Sequence, residues 1–293
     1  MLRSLLYVPG DQPALFAKGV RDGPDSLILD LEDAVDPSRK AAAREHVGEW
    51  LRRDKAPTDP LDFVRINSRP AAASIDIDAV LGHGLDGLVL PKITSVSDVQ
   101  RIDHILSHEE HVRGLEQGAI SLMLIVESAA AVWDCQAIAA AAARVRYIVG
   151  GAAQGGDLQR SVGYEWTIGG TERLVINSTV VLGARAADSV EPLYCGWMNV
   201  RDLDGLAADA ARARGLGYTG ALVIHPSHVA VVNAVFTPSE AAIRELVALV
   251  EAFDRGAAQG ISVVEHNGQM VDVAMARTAR QTLDRLGRGG DGR

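Results

Sequence analysis

Eight short, almost wholly apolar runs recur along the chain, each leading toward a segment with helical spacing, and this alternation limits the fold more than any other feature. They lie at 5–8, 26–29, 63–66, 88–90, 121–126, 145–149, 190–194 and 221–224. A strand apolar on both sides must be covered on both sides, which predicts a parallel sheet clothed by helices. Helical spacing is read at 13–20, 41–52, 75–81, 97–106, 129–143, 171–187 and 204–214, while Pro192 weakens the seventh strand. Eight such units predict closure into a (β/α)8 TIM barrel, which needs ~250 residues, and the 293 present leave a surplus. A doubly wound open sheet fits less well. No G-x-G-x-x-G follows the first run, and polar residues end many runs instead of gathering at one point.

The surplus lies after Pro238, with a helix over 241–258, an extended piece at 261–265, a turn at Asn267-Gly268 and a last helix from Val273. The expected division is a barrel domain over 1–236 and a C-terminal helical extension over 237–293. The extension is too short to bury its own core, so it is expected to pack on a barrel, that of a neighbouring subunit being the reading adopted. The glycine-rich tail at 287–293 reads as disordered. A net charge of −9 argues against a nucleic-acid surface. No run approaches the ~20 apolar residues of a membrane span, the first apolar stretch is too short for a signal-peptide core, and the two cysteines lie far apart. The expectation is a cytoplasmic protein without nucleic-acid or membrane partners.

In a barrel, polar groups at the carboxyl ends of the strands converge on one mouth. Glu127 follows the apolar run Ser121–Val126, where an ionised carboxylate left unpaired costs several kcal/mol. It therefore needs a cation or a hydrogen-bond network. The next run opens into a loop with four glycines and Asp157. Two hard oxygen ligands on neighbouring strand ends suit Mg²⁺, or Mn²⁺ in its place, with other positions left for water and substrate; a helix cap or a buried salt bridge is the plainer alternative. Arg65, between Val64 and Ile66, is either an anion clamp or the partner of a nearby acid. Asp30, Glu32 and Asp33 repel one another unless cations are near, and are expected around a metal or against Arg65 or Lys92. Lys92 suits a phosphate or an acid equally. His225 before Pro226 reads as a hydrogen-bonded structural histidine, and Cys135 and Cys195 as packing residues.

Eight words stand in order along the chain: Arg3–Gly10 (RSLLYVPG), Leu29–Val35 (LDLEDAV), Val64–Asn67 (VRIN), Leu90–Lys92 (LPK), Ile125–Ser128 (IVES), Gly155–Leu158 (GGDL), Ile224–Pro226 (IHP) and Gly268–Asp272 (GQMVD). From Arg3 to about Leu286 the chain resembles the citrate lyase β-subunit-like (CitE-like) CoA-ester lyases of the HpcH/HpaI aldolase superfamily. The resemblance implies a TIM barrel, a homotrimer or hexamer, and Mg²⁺ held by Glu127 and Asp157 with waters. It implies that Arg65 binds the carboxylate or carbonyl end of the substrate, with Glu127, Gly156, Asp157 and Lys92 in the same binding set. It further implies that Asp272 is a catalytic acid/base supplied to the neighbouring subunit, although an aspartate before Val273 also suits a helix N-cap. Lys18 and Arg21, with Lys92, are the candidates for the CoA phosphates. The implied reaction is carbon–carbon cleavage of a 3-hydroxy-dicarboxylyl-CoA, such as malyl-CoA or citramalyl-CoA, into an acyl-CoA and a 2-oxo acid. A malyl-CoA-type thioesterase and a citryl-acyl-carrier lyase β subunit needing partner chains remain alternatives. Oxo-acid aldolases of the superfamily that act without CoA carry a histidine where this chain has Asp33, which disfavours that branch.

Overall fold

The computed structural model describes residues 2–82 and 84–286, and each of the eight apolar runs is a strand in it. The strands are β1 (Ser4–Pro9), β2 (Ser26–Asp30), β3 (Leu61–Arg65), β4 (Gly87–Leu90), β5 (Ser121–Val126), β6 (Val145–Gly151), β7 (Glu191–Cys195) and β8 (Gly220–Val223). All neighbours pair in parallel, and β8 returns to β1 through Leu5 and Leu222, closing the expected barrel. Pro192 is tolerated because β8 pairs with β7 only from Leu193 onward.

Alternate residues of each strand face inward, and the register sorts them into layers. Leu5, Phe63, Met123 and Leu193 come from odd strands, Ile28, Val89, Val149 and Leu222 from even ones, and together they form one buried cluster. Each buried Leu or Phe contributes about 1.5–3 kcal/mol. The pattern breaks at the carboxyl ends, where the next inward positions are Tyr7, Asp30, Arg65, Ile125, Gly151, Cys195 and Ile224. A packed plug thus gives way to a polar-edged bowl.

The outward strand faces pack under α1 (Phe16–Arg21), α2 (Lys40–Leu51), α3 (Pro70–Val80), α4 (Val96–Arg113), α5 (Ala129–Trp133), α6 (Cys135–Ala139), α7 (Asp157–Val162), α8 (Leu174–Ala186), α9 (Leu203–Leu216) and α10 (Pro226–Phe236). Several differ from the sequence-based expectation. The single helix expected over 129–143 is two short ones that break at Asp134. Helix α3 starts at Pro70, five residues before the expected start, with proline in its first turn. Helix α4 runs seven residues past Leu106, because the buried Glu110 is held by Arg144 at 2.7 Å and by the Gly118 and Ile120 N–H groups. Helix α7 replaces an expected loop and places Asp157 at its first residue. Helix α10, which buries Val229, Val232 and Phe236, is absent from the sequence-based expectation.

Described residues from Thr237 onward form a separate compact unit, and residues 2–236 form the barrel unit. The second unit holds α11 (Glu240–Ala257), the hairpin β9 (Val264–His266) and β10 (Gln269–Val271), and α12 (Val273–Arg285). Its turn takes Asn267 and Gly268 to φ values of 50° and 77°, the positive pair that a two-residue hairpin loop demands. Phe253, Val271 and Ala276 make its small buried cluster. The tail at 287–293 lies outside the described residues.

Candidate active site

The bowl at the carboxyl end of the barrel is a cavity of about 460 Å³ lined by Tyr7, Asp30, Asp33, Arg65, Ile125, Glu127, Gly151, Gly156, Asp157, Cys195, Met198 and Ile224, among others. Glu127, Asp157, Arg65, Gly156, Asp30 and Asp33 thus meet in one space, as their positions at strand ends predict. Tyr7, Gly151, Cys195, Met198 and Ile224 join them without having stood out as site residues in the sequence. The period of two within each strand holds the signal for four of them, since each continues an inward-facing set already apolar below it. Met198 lies in the loop after β7 and has no such signal.

Arg65 ends β3 beside Asp30 of β2. Its Nε donates to Asp30 Oδ1 at 2.8 Å, Nη2 donates to Asp30 Oδ2, and Nη1 lies 3.3 Å from Glu32 Oε2. Asp30 also accepts the Glu32 N–H at 2.8 Å and the Ala34 N–H at 3.2 Å, so the fork is rigidly seated. The guanidinium stacks over the Tyr7 ring, 4.8 Å from its centroid. Burial opposes its charge, but the hydrogen bonds to Asp30 raise its pKa further above the usual value, so Arg65 stays cationic.

Lys92 reaches toward the loop after β2. Its Nζ lies 2.5 Å from Glu32 Oε1 and 3.0 Å from Asp33 Oδ2, so its charge is committed to the loop after β2. Of the two roles open to it in the sequence, pairing with an acid is the one seen. Its backbone is left-handed, at φ 56°, a conformation that costs a non-glycine residue about 1–2 kcal/mol. That twist sends the Lys92 N–H to Glu127 Oε1 at 2.6 Å. At Glu32, burial pushes the carboxyl up despite the ammonium. At Asp33 the ammonium outweighs burial and holds the carboxyl below its usual range.

Glu127 is the exception in this cluster. The Lys92 N–H is its one hydrogen bond among the described residues, and no ion pair reaches it. Burial, with Asp157 and Glu32 nearby, raises its pKa from 4.5 to about 7. The other acids here have cations: Asp30 has Arg65, Glu32 and Asp33 have Lys92, and Asp157 has the exposed Arg160 at 2.7 Å. Five carboxylates thus share three cations, and Glu127, beside Asp157, is the one with none among the described residues. An unpaired carboxylate facing a second one that is held only by an exposed arginine fits Mg²⁺, which takes one or two carboxylates and keeps its waters. Among the described residues no three Asp, Glu, His or Cys side chains are grouped to hold a metal, so most of its positions would remain for water and substrate.

Lys18 lies in a second cavity of about 330 Å³ that shares Tyr7, Pro9 and Ile224 with the bowl, and Arg21 ends the same helix. His225 Nδ1 accepts the Ser227 N–H at 3.2 Å, a turn contact. Burial raises the Cys195 thiol to about 11, so it lines the floor as a neutral group. In the second unit, Asp272 accepts the Met275 N–H at 2.9 Å and caps α12.

This geometry has relatives. The chain is 32% identical over 297 residues to the L-malyl-CoA/beta-methylmalyl-CoA lyase of Rhodobacter capsulatus, covering 94% of this chain and 92% of that one. It is 29% identical to the citrate lyase subunit beta of Haemophilus influenzae, covering 97% and 96%. Among solved structures, CitE of Mycobacterium tuberculosis in complex with magnesium, acetoacetate and coenzyme A superposes with a TM-score of 0.74 at 25% identity, covering 97% and 98%. The HpcH/HpaI aldolase/citrate lyase family profile matches residues 3–226, and the chain belongs to that family.

Proposed function

We propose that this protein is a Mg²⁺-dependent carbon–carbon lyase that splits a 3-hydroxy-dicarboxylyl-CoA, such as malyl-CoA or citramalyl-CoA, into an acyl-CoA and a 2-oxo acid. The observation that carries this reading is the uncompensated Glu127 carboxylate, facing Asp157 and opening on the same cavity as the Arg65 guanidinium. Magnesium bound by Glu127 and Asp157 would supply Lewis-acid polarisation of the substrate's oxygens. Arg65, kept cationic and seated by Asp30, receives the substrate carboxylate and stabilises negative charge as the carbon–carbon bond breaks. Gly156 lets the substrate approach the backbone beside Asp157. The apolar floor of Ile125, Cys195 and Ile224 excludes water from the bond being broken.

Cleavage needs a proton removed from the substrate hydroxyl and a proton delivered to the carbon of the departing thioester enolate. We assign the second transfer to Asp272, contributed by the C-terminal unit of a neighbouring chain in a homotrimer or hexamer. Lys18 and Arg21 are assigned to the CoA phosphates; both lie on α1, and Lys18 lines the cavity that shares Tyr7, Pro9 and Ile224 with the bowl. Lys92 is not assigned to substrate, since Glu32 and Asp33 hold its ammonium and, unlike Arg65, it does not line the bowl. Two unpaired cysteines fit a reducing, cytoplasmic setting, and among the described residues no helix is long and apolar enough to cross a membrane.

The test is to incubate the purified protein and Mg²⁺ with malyl-, methylmalyl- and citramalyl-CoA, following free thiol and 2-oxo acid separately. A lyase releases oxo acid matched by acyl-CoA, without thiol. Thiol without oxo acid makes the protein a thioesterase, and neither product points to a subunit that needs partner chains.

A further inference from the structure

We propose that Lys92 is a positioning residue for the cation site, acting through its backbone and not through its charge. The inference rests on the reading of Glu127 and Asp157 as cation ligands. Three observations carry it. Lys92 is one of four non-glycine residues with positive φ among those described, and the only one of the four at the carboxyl end of a barrel strand. Its N–H is the sole hydrogen-bond donor to Glu127 among the described residues, at 2.6 Å. Its ammonium grips Glu32 at 2.5 Å and Asp33 at 3.0 Å, across the mouth from the strand that carries Glu127.

These observations fit together mechanically. A left-handed lysine is unfavourable unless its surroundings hold it, and such residues persist where the structure over-determines them. Here the loop after β2 does the holding, by anchoring the far end of the side chain. The backbone then has one orientation, and its N–H ties down one oxygen of Glu127. The other oxygen has no protein donor among the described residues. A carboxylate pinned at one oxygen offers a preset ligand, whereas a freely rotating one must be ordered when the cation arrives. Lys92 thereby couples the Asp30–Asp33 loop, which seats Arg65, to the carboxylate at the end of β5.

The alternative is that Lys92 merely neutralises Glu32 and Asp33, and two substitutions separate the two roles. Both Lys92→Met and Lys92→Gly remove the ammonium. Glycine takes positive φ without penalty, so Lys92→Gly can still present its N–H to Glu127. Methionine keeps the backbone penalty and loses the anchor that offset it. Mg²⁺ affinity is measured by titration calorimetry on the full chain, with circular dichroism confirming the fold. We expect Lys92→Met to weaken Mg²⁺ binding about tenfold or more, as loss of an outer partner does, and Lys92→Gly to recover most of that loss. A purely electrostatic role predicts the reverse. Removing a positive charge beside a divalent cation tightens binding, and by the same factor in both variants. Equal affinities in the two variants, or tighter binding in both, overturn the proposal while leaving the cation site standing. Absence of Mg²⁺ binding by the unmodified protein overturns the cation-site reading and this proposal with it.

Discussion

Replacing Glu127 by glutamine should stabilise the metal-free protein while destroying the site. A carboxyl whose pKa climbs from 4.5 to about 7 on folding opposes the folded state once it is ionised there. At ~1.4 kcal/mol per pH unit between the two values, the penalty reaches about 3 kcal/mol above pH 7. Solvent at the mouth trims this, and about 2–3 kcal/mol is the expected range. The sign follows from a folded-state pKa that is raised. The protonated carboxyl costs nothing below about pH 4.5, and stability is lost progressively as pH rises through 7. The glutamine amide has no proton to lose and keeps an oxygen to accept the Lys92 N–H. In EDTA, therefore, Glu127→Gln should melt about 5–10 °C above the unmodified protein at pH 8, taking ~2–4 °C per kcal/mol, and at the same temperature near pH 4.5. Saturating Mg²⁺ should then raise the melting temperature of the unmodified protein alone, by about 2.7 kcal/mol of stabilisation at a hundredfold excess over Kd. Differential scanning calorimetry across that pH range gives the answer. If Glu127→Gln is no more stable than the unmodified protein at pH 8 in EDTA, the carboxylate already has its compensating charge and no cation is missing from the bowl.

Other outcomes follow from the same geometry. Asp157→Ala should abolish Mg²⁺-dependent turnover with an unchanged circular dichroism spectrum, because its partner Arg160 is exposed and readily resolvated; full turnover in EDTA would rule out a role for the metal. Gly151→Ala would place a Cβ 3.1 Å from Glu127 Cβ and 3.4 Å from Ile125 Cγ2, so Mg²⁺ affinity should fall about tenfold by calorimetry, and unchanged affinity would show that Glu127 can move freely. Arg65→Lys keeps a charge but cannot form the fork to Asp30, and should lower kcat/KM by about 10²–10³, with activity within tenfold counting against a binding role for the guanidinium. Mixing Asp272→Ala chains with Asp157→Ala chains should restore part of the activity if each site draws on two subunits, and verified mixing without recovery would refute the sharing.

The barrel was legible because its eight strands are apolar on both sides, a pattern few folds accommodate. Helix limits were less so. Leu106 ended the apolar spacing of α4, yet the helix continues because Glu110 is buried against Arg144, and a buried ion pair leaves no trace in hydrophobic periodicity. The break at Asp134 is equally silent in a run of alanines. At the mouth, Arg65, Glu127 and Asp157 could be found as charges standing where apolar runs end. Tyr7 and Cys195 could not be found that way, since tyrosine and cysteine are ordinary interior residues; the period of two marks them only as inward-facing, and the register then brings them to the same bowl. The role of Lys92 was hidden differently. Its side chain advertised a charge, while the structural consequence lies in a backbone dihedral, which residue identity alone does not announce.

If one cation joins Glu127 and Asp157, Mn²⁺ substitution with anomalous diffraction should locate it. We expect a single strong anomalous peak inside the bowl, bound by one oxygen of each carboxylate, with Asp157 turned away from Arg160. A crystal soaked in Mn²⁺ with no peak between those two side chains, and with Asp157 still paired to Arg160, would contradict the shared-cation site.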